Sequence, residues 1–342
     1  MKILVVDSEY RYSVGGSFTR GFQALGHEAR FFDQANWGAG WAATGRALRL
    51  ARAAIRPATV PAINFALLST VFAWKPDLVM VMKGWHLLPE TIEAMRRVAR
   101  FVVSYHTDDF ENPLNTNERM LKSIPLWDVL FTPRTFVSDE LRARGARHVE
   151  PLAFGYDPLL FSPAPHVTPP EPGLDESVVF VGTCALERIT LFEPLSAKLP
   201  LRVWGNGWQV VPASSPLRPT LRMKALLDDP VRAVLSQSAV SLALLRKGNR
   251  DRHTMRTFEI PACGGFMLAE RTDEHLAYFE EGKEAAFFDS PEELLDQAQR
   301  YLRDAPLRRR IADFGHRRVT TSGHRYQDRA ARVLEVIGER RG

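Results

Sequence analysis

Short, uninterrupted apolar runs recur along this chain, each followed by a stretch of helical periodicity, and that alternation limits the fold more than any other feature. Residues 3–6 and 178–181 carry no polar side chain at all, the pattern of strands covered on both faces in a parallel sheet. Further mainly apolar runs lie at 29–32, 78–82, 101–104 and 129–131 in the first half, and at 201–204, 240–245, 266–269 and 286–288 in the second, with Arg30, Ser104, Arg202 and Ser241 as their polar members. Helical segments are expected at 17–25, 88–97, 137–144, 189–199, 230–237 and 255–263, and from Pro291 to the end. Strand and helix alternating in this way define an α/β chain with parallel sheets.

The two sets of runs are separated by residues 163–173, which hold five prolines and read as an extended linker. With 342 residues, the expected division is an N-terminal domain at 1–163, a linker at 164–176 and a C-terminal domain at 177–342, whose last helix packs back on the first domain. Two doubly wound Rossmann-like domains facing each other across a cleft would place a ligand in that cleft.

Composition removes several classes. The chain has 45 Lys+Arg against 40 Asp+Glu, and the +5 excess is spread over both halves, unlike a concentrated nucleic-acid-binding module. Only Cys184 and Cys263 are present, too few for a disulfide framework or a Cys-rich zinc site, and the nine histidines form no H-E-x-x-H cluster, so no metal or cofactor is expected. The first residues lack a signal-peptide pattern, and the apolar stretch 57–74 is broken by two prolines and Asn64, so a cytoplasmic location is expected. Arg46, Arg49, Arg52 and Arg56 recur at helical spacing among leucines and isoleucine. They form either a solvated helix face or a basic surface for peripheral contact with anionic lipid.

Candidate site residues cluster at the ends of the apolar runs. Gly15-Gly16 lets backbone approach a ligand at a helix start, or is a plain turn, and Gly205-Asn-Gly207 carries the same two readings; neither has the third glycine of a dinucleotide fingerprint. In Asn249-Arg-Asp251-Arg-His-Thr-Met-Arg256-Thr-Phe-Glu259, seven residues separate two carboxylates, Asp251 in a loop and Glu259 in the following helix. Carboxylates accept paired hydrogen bonds from sugar hydroxyls, and the helix start adds an anion site; alternatively Glu259 offsets the helix dipole. His106 and the Asp108-Asp109 pair follow the run at 101–104, at the strand end where open sheets bind ligands, although a histidine there also serves as a structural hydrogen bonder.

These residues carry a family resemblance over nearly the whole chain. Residues 2–7, Gly15-Gly16 and Leu25-Gly-His-Glu28 resemble the opening of family 4 GT-B glycosyltransferases, and more narrowly the spore maturation protein CgeB-like branch. Phe154-Gly-Tyr-Asp157 through Pro163 resembles the phrase closing that family's N-terminal domain, and 256–265, with Phe-Glu and Ala-Cys-Gly-Gly, resembles its nucleotide-sugar site. The resemblance implies transfer of a sugar from a nucleoside-diphosphate sugar, retaining and metal-independent, with no separate cofactor. It implies that Glu259 holds the ribose, that Asp251 faces the donor sugar with Asp in place of Glu, and that His106 lies near that sugar. Thr183 replaces an expected Arg after Gly182, while Arg188 stands where a diphosphate-binding Lys is expected. Lys247, Arg252 or Arg256 would supply a second cation, and Asp108 and Asp109 would meet an acceptor. The alternative is a noncatalytic nucleotide-sugar or carbohydrate binding protein of the same fold.

Overall fold

The computed structural model describes residues 1–37 and 46–339, with the side chains of 1–37 and 59–339. The chain forms two compact units. Unit 1 comprises Met1–Phe154, Lys247–Arg250 and Arg325–Gly342, and unit 2 comprises Gly155–Arg246 and Asp251–His324. The chain therefore crosses between units at Phe154–Gly155, ahead of the proline run. That run is not a free tether, because it is fastened to unit 2: Ser236 Oγ accepts from the Ala164 amide at 3.1 Å, and Gln237 Nε2 donates to the carbonyls of Ala164 and Val167.

Unit 1 is built on strands β1 (Lys2–Asp7), β2 (Glu28–Asp33), β3 (Leu78–Met82), β4 (Phe101–Tyr105), β5 (Val129–Thr132) and β6 (Val149–Pro151). All pair in parallel in the order β2-β1-β3-β4-β5-β6. Its helices are α1 (Val14–Ala24), α2 (Arg46–Trp74), α3 (Pro89–Arg96), α4 (Glu118–Ser123) and α5 (Ser138–Ala143). Unit 2 carries β7 (Val178–Val181), β8 (Leu201–Trp204), β9 (Val240–Ala243), β10 (Met267–Glu270) and β11 (Ala286–Phe288), parallel in the order β11-β10-β9-β7-β8. Around this second sheet run α6 (Leu186–Ser196), α7 (Asp229–Gln237), α8 (Arg256–Ala262), α9 (Asp273–Tyr278), α10 (Pro291–Arg303) and α11 (Ala305–Thr321). The last helix, α12 (Tyr326–Glu339), returns to unit 1.

The apolar runs become the buried central strands, β3, β5, β7 and β9 having every residue buried, Thr132 and Ser241 included. One feature differs from the sequence expectation, and a second is left open by it. Gly15-Gly16 is not a loop but the first turn of α1, because Ser13 caps the helix by accepting from the Gly16 amide at 3.0 Å. The apolar stretch 57–74 is helical in spite of Pro61: Ile63, Leu67 and Val71 are buried while Phe65 and Phe72 face outward. Among the described residues no helix is long and apolar enough to cross a membrane.

Helix α12 seals the outer face of α1. Phe18 meets the Tyr326 ring at 5.2 Å, and a Cβ on Gly21 would stand 2.8 Å from the Tyr326 carbonyl oxygen, so only glycine there admits so close an approach. Arg329 donates to the Phe154 carbonyl and Arg332 pairs with Glu150, holding the returning helix to β6 and its end.

Candidate functional site

In each unit the strand order reverses once, and several candidate site residues lie just beyond that reversal. In unit 2 the chain goes from β7 outward to β8 and then returns to β9 on the other side, so the crevice lies at the carboxyl ends of β7 and β9. Arg188, in the first turn of α6, spans it. Its Nη1 donates to the Thr183 carbonyl at 2.6 Å and its Nη2 to the Leu244 carbonyl at 3.3 Å, while the guanidinium lies 4.9 Å from the Phe180 ring centre. The side chain is 7% exposed, and its Nε has no hydrogen-bond partner. Burial, and after it the neighbouring Arg246 cation, pull the guanidinium below its ordinary pKa; Glu187, Glu270 and Asp251 oppose that pull. An incoming anion would stabilise this charge more than any group now bonded to it. Helix α6 is preceded by Ala185, which offers no side-chain cap to its first amides.

Glu259 and Arg256 meet beside this crevice. Arg256 Nη1 donates to Glu259 Oε2, and its Nε donates to the Val181 carbonyl at the end of β7, 3.1 Å away. Glu259 is buried, and burial pushes its carboxyl up although Arg256 resists. Among the described residues the side-chain hydrogen bond to this carboxylate is taken by Oε2. Asp251 enters through electrostatic coupling to Arg188. Gly182, Arg188, Asp251, Arg256 and Glu259 thus belong to one neighbourhood of unit 2. Helix α8 has only seven residues, too short for the anion site expected at its start. Lys247, expected among the donor cations, is grouped instead with unit 1.

The glycines act through packing. The Gly182 amide donates to the Trp204 carbonyl, and a Cβ there would strike the Phe180 ring at 2.5 Å. Gly205, at φ +142°, brings its backbone so close that a Cβ would lie 1.9 Å from the Gly182 oxygen. In unit 1 the Gly15 amide donates to Asp7 Oδ2 and the Gly16 amide to Ser13, so both expected ligand amides are already engaged within the protein.

The reversal in unit 1 lies between β1 and β3. Asp7 ends β1, and Lys83 follows β3 in the left-handed region at φ +60°. A side chain held there costs about 1–3 kcal/mol and persists where its surroundings impose it. Lys83 pairs with the buried Asp108, which also accepts from Asn249 Nδ2 at 2.8 Å. Burial raises Asp108, but the Lys83 ammonium and the Asn249 bond outweigh it and hold the carboxyl below its ordinary value. His106 is fully buried and stacked 3.6 Å from the Phe110 ring; neither ring nitrogen makes a well-formed hydrogen bond, although the Lys83 backbone lies near enough to favour the charged form slightly. Desolvation, seconded by Lys83 and Arg134, pulls its pKa down to about 3 against the opposing charge of Asp108. The ring is therefore neutral near pH 7.

Asp109 is occupied. Arg250 binds both its oxygens, at 2.5 and 3.0 Å, and continues to Glu140, while the Glu111 amide donates to Oδ1. Asn249 and Arg250 form a peg in unit 1: Asn112 and Asn115 donate to Asn249 Oδ1, and Arg134 donates to its carbonyl. Sequence reading missed Asp7, Lys83 and Arg250. The signal for the first two was that they are polar residues directly beyond apolar runs. Arg46, Arg49, Arg52 and Arg56 lie on α2, with side chains outside the described residues.

Two parallel sheets, each with one strand-order reversal, match the GT-B architecture, and the whole chain shares it with solved structures. Sucrose-phosphate synthase from Thermosynechococcus elongatus, 12% identical, superposes with a TM-score of 0.66 over 99% of this chain and 98% of its own. Anabaena HepE in complex with UDP and glucose, 13% identical, gives 0.62 over 99% and 100%. A putative UDP-N-acetylglucosamine 2-epimerase from Listeria monocytogenes, 13% identical, gives 0.57 over 99% and 96%, so the fold also serves other chemistry. At the level of sequence, residues 188–335 match the model of a family described as glycosyl transferase-like. No curated protein matches.

Proposed function

We propose that the protein transfers a sugar from a nucleoside-diphosphate sugar to a hydroxyl-bearing acceptor. The observation that carries this reading is Arg188: a buried guanidinium at the unit 2 reversal, bonded only to backbone carbonyls and with one N–H unused. It suits a diphosphate whose negative charge grows as the bond to the anomeric carbon breaks. The uncapped start of α6 adds amide donors beside it. Glu259 Oε1 accepts from ribose hydroxyls while Arg256 fixes Oε2, so the carboxylate keeps one orientation. Asp251 faces the donor sugar. His106, neutral in its buried site, positions or accepts from a hydroxyl rather than acting as a cation. The resemblance that suggested these roles brings with it retention of anomeric configuration and transfer without a metal, and the CgeB-like branch as the nearest kin. UDP-bound HepE supports UDP as the first nucleotide to try.

Thermal shift with UDP, GDP, ADP, dTDP and CMP tests the reading directly. One nucleotide is expected to stabilise the wild type selectively, since a ligand of the folded state raises its melting temperature. Glu259→Ala is expected to weaken that nucleotide about 10–100-fold, the loss of hydrogen bonds to a charged group. Unchanged affinity in Glu259→Ala would remove that residue from the site.

A further inference from the structure

The crevice of unit 1 has a composition that discriminates between acceptors. Asp7 and Lys83 end or follow the two strands that flank the strand-order reversal, and Asp108 and His106 follow the neighbouring β4. The other charged groups are already committed: Arg134 donates to the carbonyls of Thr107 and Asn249, and Asp109 is held bidentate by Arg250, which also binds Glu140. Lys83 is the one cation here whose partner is a single carboxylate, Asp108, and its side chain remains 38% exposed. Asp7 is partly exposed, electrostatically coupled to Lys83, and accepts from the Ser8 and Gly15 amides at 2.8 and 2.9 Å. His106 supplies the independent sign of a ligand: a wholly buried ring, coupled to Asp108 and Lys83, whose two nitrogens lack a well-formed hydrogen bond, the Lys83 backbone being a polar neighbour.

An anionic acceptor would have to take Lys83 from Asp108 while lying beside a second carboxylate, Asp7, and the Coulomb cost falls on it twice. A neutral polyol meets no such cost. Its hydroxyls donate to Asp7 and accept from Lys83, the part-exposed members of the set, while the buried Asp108 holds Lys83 in place. We infer that Asp7, Lys83, Asp108 and His106 form a recognition site for an uncharged, polyhydroxylated acceptor, a free saccharide in place of a phosphorylated or carboxylated one. The inference rests on the transferase reading only for the word acceptor; the binding site stands on its own geometry.

Saturation-transfer NMR with glucose and with glucose 6-phosphate as probes, without nucleotide, tests it, with UDP affinity measured on the same samples. Glucose is expected to receive saturation and glucose 6-phosphate to receive little. Lys83→Asn, chosen because asparagine tolerates the left-handed backbone, and Asp7→Asn are each expected to weaken glucose roughly tenfold. Far-ultraviolet circular dichroism and melting curves confirm that both variants fold, and either variant alone suffices. Preference for glucose 6-phosphate, or glucose binding unaffected in the folded variants, would overturn the inference. If glucose binds as described and UDP does not, the transferase reading fails and this site remains.

Discussion

Arg188 and Arg308 are both buried arginines bonded to carbonyl oxygens, yet they differ in what they leave undone. Arg308 caps the end of α10, donating to the Tyr301, Leu302 and Asp175 carbonyls, and is structural. Arg188 keeps an unpaired Nε at the crevice. Its position was legible in the sequence because spacing after Gly182 survives folding, as does the seven-residue gap between Asp251 and Glu259. Asp7 and Lys83 were not legible, since only the order of strands brings the ends of β1 and β3 side by side. Asp7 carries a prediction of its own. Desolvation pushes its carboxyl up to about 6, against hydrogen bonds from Ser8, Gly15 and Ser13 and the charge of Lys83. A raised carboxyl pKa contributes stability at low pH that is lost as pH rises through the folded value. The melting temperature of the wild type is therefore expected to fall between pH 4 and 6 relative to Asp7→Asn, and a carboxyl carbon-13 titration to show a midpoint near 6. A midpoint near 4 would contradict this.

Elements followed their apolar content where both faces are covered and departed from it at the margins. The central strands were readable because a run without polar residues has few other uses. Strand β6 escaped notice, being three residues long and ending in Pro151. The helical course through Pro61 was hidden because proline is a poor guide once a buried face of Ile63, Leu67 and Val71 outweighs its cost. Glycines divide in the same way between those that packing demands and those it does not. Gly205→Ala introduces a Cβ at a left-handed φ and within 1.9 Å of a backbone oxygen, and is expected to destabilise by about 3 kcal/mol or more. Gly338, in α12 with open space around its missing Cβ, is expected to gain about 0.5–1 kcal/mol as alanine. Chemical denaturation of the two variants checks both signs.

At the scale of the whole molecule, the sequence suggested a boundary at the prolines and a last helix returning to the first domain, and the chain makes one excursion between its units more than that. It crosses at Phe154–Gly155, lends Lys247–Arg250 to unit 1, and returns with α12. The Lys247–Arg250 excursion has no local signature, because it is fixed by partners far away in sequence, Asp108 for Asn249 and Asp109 for Arg250, just as Phe18 and Glu150 fix α12. Truncation after Gly323 is therefore expected to destabilise unit 1, exposing Phe18 and leaving Glu150 without Arg332, and to lower the melting temperature by several degrees or prevent folding. A truncated chain that melts as the full one does would contradict the structural role of α12.

The central claim is that the Arg188 and Glu259 neighbourhood holds a nucleoside-diphosphate sugar for reaction. Release of free nucleoside diphosphate from a panel of such sugars, followed over time with wild type and Glu259→Ala, tests it most directly. The account predicts release from one donor by the wild type, accelerated by a neutral saccharide and lost in the variant. No release from any donor, or equal release by the variant, would contradict it.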